Sequence, residues 1–286
     1  MIRVPDWQAL LFVPVGAERH LASAIRLRPD AIILDLEDAV APAAKSGARA
    51  KLRAAQRLIH DAGIDCVIRI NGPLRDMLED IAAADLDRVA ALMVPKVEGL
   101  RGLENVAELT GGKLGLIALI ETPAALAGLP DIAAVPQVLA LMLGSEDYAA
   151  SLGVSPDGGA LTYLAARIGV AAAPRGLLGI GFPGSLANFR ALDLYADQIA
   201  LGRQLGLRAV AAIHPAQMPV IRTALTPTPA EVTWATKVLD TQRDMEGAVI
   251  ALDGTMIDAP VILRARNILR LVQHQPTPAT SGQYPA

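Results

Sequence analysis

The chain has 286 residues, 52 % of them hydrophobic and only 3 % aromatic, with a formal charge of −3 and a single cysteine. That length allows one large domain or a domain with an appendage, and the apolar content excludes a disordered chain. The charge gives no electrostatic case for nucleic acid or an anionic membrane, and the lone Cys66 excludes an internal disulfide framework or a multi-cysteine metal site.

The first residues, MIRVPDWQ, lack the charged-then-apolar pattern of a signal peptide. No apolar run reaches the roughly 18 residues a membrane span needs, so a cytoplasmic location is the expectation. Residues 10–13 read as the first strand and 17–27 as the first helix. Residues 31–34 (AIIL) have the composition of a strand buried on both faces. Asp35, Glu37 and Asp38 follow at once. Alternation puts Asp35 and Glu37 on one face. Carboxylates this close repel unless a cation, donors or solvent compensates, which leaves a divalent metal or a solvated strand tip. Residues 45–62 read as an amphipathic helix. Further strands are expected at 66–70, 91–94, 114–120, 138–143, 176–180 and 209–213. Helices are expected around 77–84, 100–109, 159–168 and 187–205. Cys66 opens the third strand and reads as a core thiol.

Eight buried strands separated by helices predict an α/β chain folded as a TIM-type (β/α)8 barrel over residues 1–226. A doubly wound open sheet is the alternative. The barrel is preferred because polar residues recur at strand ends: Asp35 and Glu37, Arg69 and Asn71, Lys96, Glu121, Glu146 and Asp147, and His214. A barrel gathers all these ends at one mouth, whereas an open sheet gathers them only at its switch point. No G-x-G-x-x-G glycine pattern follows the first strand, and no P-loop sequence is present. After residue 226 the pattern changes. Thr228 reads as an N-cap with Glu231 three residues on. A strand at 248–252, a turn at Asp253–Gly254 and a helix at 259–272 follow. This α/β appendage, 227–273, is too small to fold alone and is expected to pack on the barrel or on a neighbouring subunit as a lid. The tail, 274–286, is expected to be disordered.

Glu121, at the tip of a buried strand, reads as a metal ligand or base, or as an acid favoured by the next helix dipole. Asp147 lies after Gly144 and Ser145, where a tight turn would bring backbone N–H groups to a ligand carboxylate. Two carboxylates from adjacent strands make a hard oxygen site suited to Mg²⁺. Spacing does not choose between Glu146 and Asp147. Arg69 ends a buried strand and needs anionic company. It reads as a stabiliser of oxyanion charge or as an ion-pair partner of Asp35 or Glu37. His214 fits an acid–base role or, better, a structural hydrogen bond.

The segments LFVP, AIILDLEDAVAPAAKSGAR, VIRIN, LMVPKVE, ALIETPAAL, LMLGSEDYAASLG, AAIHPAQ and GTMID run in order over nearly the whole chain. They resemble the citrate-lyase β-subunit-like family, the CoA-ester lyases of the HpcH/HpaI aldolase superfamily, with malyl-CoA and citramalyl-CoA lyases among them. The resemblance implies a Mg²⁺-dependent carbon–carbon lyase or condensing enzyme, with Mn²⁺ as a substitute, built as a homotrimer or hexamer. It implies metal ligation by Glu121 and Asp147, and enolate stabilisation by Arg69. Glu37 and Asp38 would order the metal's waters, and Asp35 would hold Arg69. Gly144, Ser145 and Glu146 would contact substrate, and Asp258 would reach a neighbouring subunit's site. Gln8, Ser23 and Val210 stand where many relatives carry cations that suit CoA phosphates, although Arg19 and Arg26 are nearby alternatives. That departure keeps two other readings open: an aldolase acting on free 2-oxo acids without CoA, and a partner-dependent or non-catalytic subunit of a larger lyase.

Overall fold

Parallel strands wrapped by helices lose contact with water on both faces, so their sequences are short and almost wholly apolar. The computed structural model describes residues 3–156, 158–244, 250–252 and 255–273. In chain order the first unit runs β1 (Ala9–Pro14), α1 (Glu18–Leu27), β2 (Ala31–Asp35), α2 (Lys45–Asp61), β3 (Asp65–Arg69), α3 (Leu74–Ala83), β4 (Ala91–Val94) and α4 (Leu100–Leu109). It continues through β5 (Gly115–Ile120), α5 (Pro123–Ala127), α6 (Leu129–Ile132), β6 (Val138–Leu143), α7 (Ser145–Leu152), α8 (Gly159–Ala172), β7 (Leu178–Ile180), α9 (Leu192–Gln204), β8 (Val210–Ala212) and α10 (Gln217–Leu225).

Strands β1 to β7 pair in parallel with their sequence neighbours, β8 pairs in parallel with β1, and an Ile180–Ala209 bridge joins the β7 and β8 region. The sheet is therefore the expected (β/α)8 barrel rather than an open sheet. Residue parity divides the core. Leu10, Ile33, Val67, Met93, Ile117, Met142 and Ile180 fill the inside of the barrel. Leu11, Ile32, Leu34, Ile68, Leu92 and Leu116 pack outward in the layer shared with the helices. Trp7 joins the inner cluster and its indole N–H donates to Asp65 at 2.7 Å.

Some boundaries differ from expectation. Helix α9 begins at Leu192 rather than near 187, after turns at 186–187 and 189–190. Two short helices, α5 and α6, stand between β5 and β6, each opened by a proline in its first turn.

The second compact unit is Thr226–Ala286. It contains α11 (Pro229–Asp244), an antiparallel pair of β9 (Ile250–Leu252) and β10 (Thr255–Ile257), and α12 (Ala259–Gln273). The capping box forms: Thr228 N–H donates to Glu231 Oε2 at 2.7 Å, and Glu231 N–H to Thr228 Oγ1 at 3.2 Å. Its small core holds Ala235, Val238, Ile257, Ala265 and Ile268. The expected turn at Asp253–Gly254 and the tail at 274–286 lie outside the described residues. Among the described residues no helix is long and apolar enough to cross a membrane.

Helix α8 approaches the segment before β8 at Gly169, where an added Cβ would lie 1.9 Å from the Leu205 carbonyl oxygen. Gly169→Ala is therefore expected to destabilise by about 1–3 kcal/mol through overpacking, reversing the roughly 1 kcal/mol gain of a free helical Gly→Ala exchange. Urea denaturation reads the difference; a gain in stability would contradict the close contact.

Candidate active site at the barrel mouth

The parity that fills the barrel with Ile33 and Val67 brings Asp35 and Arg69 to its mouth. They stand opposite each other in the β2–β3 register. Arg69 makes a two-point contact with Asp35, Nε to Oδ1 at 2.8 Å and Nη2 to Oδ2 at 2.6 Å. Its Nη1 also reaches Glu37 at 3.0 Å and Asp38 at 3.3 Å. The guanidinium lies 5.2 Å above the Phe12 ring, a further favourable contact for a cation. Burial alone would lower the Arg69 pKa; hydrogen bonds and charge from Asp35, joined by Glu37 and Asp38, outweigh it and raise the pKa. Asp35 is also satisfied from its own loop, accepting from Glu37 N–H at 2.9 Å and Ala39 N–H at 3.3 Å.

The loop after β2 is held from behind. Lys45 Nζ donates to the Leu36 carbonyl at 2.9 Å, to the Glu37 carbonyl at 3.1 Å and to Asn71 Oδ1. Asn71 gives its backbone and side-chain N–H groups to Asp80 at 2.8 and 2.7 Å. Asp80 is fully buried and pairs with Arg49 at 2.6 Å. A buried carboxylate needs such donors. Sequence reasoning marked Asn71 as a strand-end polar residue but missed Lys45 and Asp80, whose positions on helices carry no local sign of the contact.

Glu121, one residue past β5, is 3 % exposed. Its Oε1 accepts the Lys96 backbone N–H at 2.6 Å. No cationic side chain pairs with it among the described residues. Burial pushes its pKa from the ordinary 4.5 up to about 8; the Lys96 N–H works against this, while the negative charges of Asp147 and Glu37 add to it. Gly144 makes the room: a Cβ there would lie 2.5 Å from Glu121 Cβ and 2.7 Å from Oε2. Lys96 adopts φ 51°, a left-handed conformation that costs a non-glycine residue roughly 1–2 kcal/mol. Its Nζ lies 3.3 Å from Glu37 Oε1. Burial raises the Glu37 pKa, opposed by Arg69 and Lys96 and assisted by Asp38.

Glu121, Glu146 and Asp147 are the cavity carboxylates that Arg69 leaves unpaired, and Glu121 and Asp147 lie close enough to influence each other. Among the described residues no three His, Cys, Asp or Glu side chains gather into a complete metal cage. Two hard oxygen donors with the remaining positions open to water and substrate fit Mg²⁺, which dehydrates reluctantly. Asp35, Glu37 and Asp38 are committed to Arg69 instead.

The turn expected at Gly144–Ser145 is the start of α7: Gly144 is its N-cap and Ser145 its first residue. Glu146 and Asp147, indistinguishable by spacing, have different surroundings. Ser185 Oγ donates to Glu146 at 2.6 Å. Ser145 Oγ is buried with no hydrogen-bond partner among the described residues. His214 accepts the Ala216 N–H on Nδ1 at 3.1 Å and stacks on Phe189 at 4.9 Å. Cys66 is buried, and burial pushes its thiol pKa up to about 12, which suits the core role. Of the three positions lacking cations, Gln8 and Val210 are buried and Ser23 is half-buried. Val210 packs in the outer apolar layer. Asp258 belongs to the second unit, is exposed, and accepts the Val261 N–H at 3.2 Å at the start of α12.

A cavity of about 410 Å³ opens at the mouth, lined by Asp35, Asp38, Arg69, Glu121, Glu146 and Asp147 and by apolar Phe12, Leu119, Met142, Leu186 and Ile213. An acidic cavity at the carboxyl ends of the strands, with one buried arginine, defines an enzyme-like (β/α)8 barrel. The model of the HpcH/HpaI aldolase/citrate lyase family matches residues 8–215, so the chain belongs to that enzymatic family. It is 32 % identical over 279 residues to a citrate lyase subunit beta-like protein of Mycobacterium tuberculosis, covering 93 % of this chain and 94 % of that one. A (3S)-malyl-CoA thioesterase of Cereibacter sphaeroides is 31 % identical over 275 residues, covering 92 % and 93 %. Among solved structures, CitE from Mycobacterium tuberculosis in complex with magnesium, acetoacetate and coenzyme A is similar with a TM-score of 0.72 and 30 % identity, covering 94 % and 98 % of the two chains.

Folding raises the Glu121 pKa, so the stability associated with its neutral form is present below about 4.5 and is lost as pH rises through about 8. In metal-free buffer, wild-type protein is expected to lose stability relative to Glu121→Gln across that window. Chemical denaturation at a series of pH values checks it; parallel profiles would contradict the burial of an uncompensated carboxyl.

Proposed function

We propose that the chain is a Mg²⁺-dependent carbon–carbon lyase acting on a malyl-, citramalyl- or citryl-type CoA thioester. The observation that carries this reading is Glu121, a buried carboxylate without a paired cation among the described residues, beside Asp147 and on the same cavity as Arg69. Glu121 and Asp147 would hold the ion, which would supply Lewis-acid polarisation of the substrate's keto or hydroxyl oxygen. Glu37 is the candidate for ordering the ion's waters, and Asp38 lies beside it. Magnesium and coenzyme A in the similar CitE structure support both the ion and the thioester.

In the cleavage direction, the bond between the carbinol carbon and the thioester α-carbon breaks. The hydroxyl gives up its proton to water in the cavity, its carbon–oxygen bond becomes the carbonyl of the released oxo acid, and the electron pair of the broken carbon–carbon bond passes to the thioester as an enolate. Arg69, already fixed by Asp35, offers positive charge to that oxyanion. The enolate carbon then takes a proton, a role we assign to Asp258 of a second copy in a homo-oligomer, on the strength of the GTMID segment and the exposed carboxylate. The buried Gln8 and Val210 weigh toward phosphate contacts made elsewhere, or toward a free 2-oxo acid as substrate.

A panel of CoA esters, assayed with and without Mg²⁺ for oxo-acid release and separately for free CoA, tests the reaction. Oxo-acid release only with Mg²⁺ is expected. Free CoA without an oxo acid would indicate thioester hydrolysis, as named for the Cereibacter relative. Glu121→Gln is expected to abolish turnover, and Glu37→Gln to lower it about 10–100-fold. Asp258→Asn should lower turnover and leave Mg²⁺ affinity intact. No turnover on any ester, or equal small effects of Glu121→Gln and Glu37→Gln, would overturn the assignment.

A further inference from the structure

Lys96 stands out among the cations at the mouth because two separate contacts meet in it. Its main-chain N–H is the hydrogen-bond donor to Glu121 Oε1, at 2.6 Å. Its ammonium lies 3.3 Å from Glu37 Oε1 and also within the electrostatic reach of Asp38 and Asp147. Only Arg28 and Lys96 are non-glycine residues with positive φ among the described residues, and Arg28 is explained as the C-cap of α1. Lys96 caps no helix: it follows β4 by two residues, and the next helix has Gly99 as its N-cap. Glycine would meet the backbone requirement at φ 51° without strain. A lysine in that place keeps a side chain that glycine lacks, and its ammonium is set on Glu37.

We infer that Lys96 is a positioning residue for the acidic site, aiming Glu121 through its left-handed main chain and Glu37 through its ammonium. This rests on the reading of Glu121 and Asp147 as the ion-holding pair. The two contacts reach carboxylates on different loops. Glu121 follows β5 and is to hold the ion directly. Glu37 follows β2 and is to hold its waters. Lys96, after β4, lies between them in strand order and fixes one oxygen of each.

Charge repulsion and carboxylate positioning change Mg²⁺ affinity in opposite directions. A lysine that merely sits near a cation site repels the cation, so removing its charge would tighten Mg²⁺ binding. A lysine that positions a carboxylate does the opposite. Lys96→Gly keeps the N–H, accommodates the φ and deletes the side chain with its ammonium, and relief of strain favours its folding. Calorimetric titration of Mg²⁺ into metal-stripped wild type, Lys96→Gly, Lys96→Met and Lys96→Arg, with melting temperatures for each, tests it. Wild type should bind. Lys96→Gly should melt no lower than wild type yet bind Mg²⁺ about tenfold more weakly. Lys96→Met, which keeps side-chain bulk and adds no glycine flexibility, should lose at least as much affinity. Lys96→Arg should keep most of it. Equal or tighter binding by Lys96→Gly and Lys96→Met would overturn the inference and leave the ion site standing. Absence of binding by wild type would overturn the ion site and the inference together.

Discussion

Arg69 can serve Asp35, Glu37 and Asp38 at once because β2 and β3 stand in a register that sets Asp35 opposite it. Two hydrogen bonds to Asp35 fix the plane of the guanidinium, and the remaining terminal nitrogen faces the other two carboxylates. Buried charges persist when they are paired and hydrogen-bonded, and removing one partner of such a pair typically costs about 3–5 kcal/mol. The pair therefore decides which acids at the mouth are neutralised within the chain and which are not. Glu121 and Asp147 fall in the second group, and that division gives the cavity its chemical character.

Most of the surrounding structure serves to hold this division in place. Lys45 and Asn71 tie the loop after β2 to β3 and to the buried Asp80, so Glu37 cannot drift away from Arg69 without breaking hydrogen bonds inside the protein. Gly144 leaves space that any side chain would take from Glu121. Ser185 holds Glu146 and leaves Asp147 as the acid of that pair with no hydrogen bond or ion pair among the described residues. The apolar side chains of Phe12, Leu119 and Met142 line the same cavity, and low polarity strengthens every charge interaction within it.

The barrel was legible because its strands are apolar runs and their polar ends share parity with the inner core. Asp35 follows Ile33, Arg69 follows Val67, and Glu121 follows Leu119, each two residues on. That rhythm places a side chain at the mouth of a barrel without any knowledge of contacts. What stayed hidden depended on long-range geometry. Spacing could not tell Glu146 from Asp147, since the distinction comes from Ser185, 39 residues away from Glu146. The missing cation at 210 looked like a loss at a ligand surface, yet Val210 packs in the outer apolar layer. The left-handed backbone of Lys96 has no local signal, because turn chemistry would lead one to expect glycine or asparagine there.

A crystal structure of the protein with Mg²⁺ and a 2-oxo acid bears most directly on the claim that Arg69 divides the acids into a neutralised set and an ion-holding pair. Density for one ion contacted by both Glu121 and Asp147, with the two-point Arg69–Asp35 contact unchanged, is the result this division requires. An ion bound instead by Asp35 or Glu37, with Arg69 displaced, would contradict it.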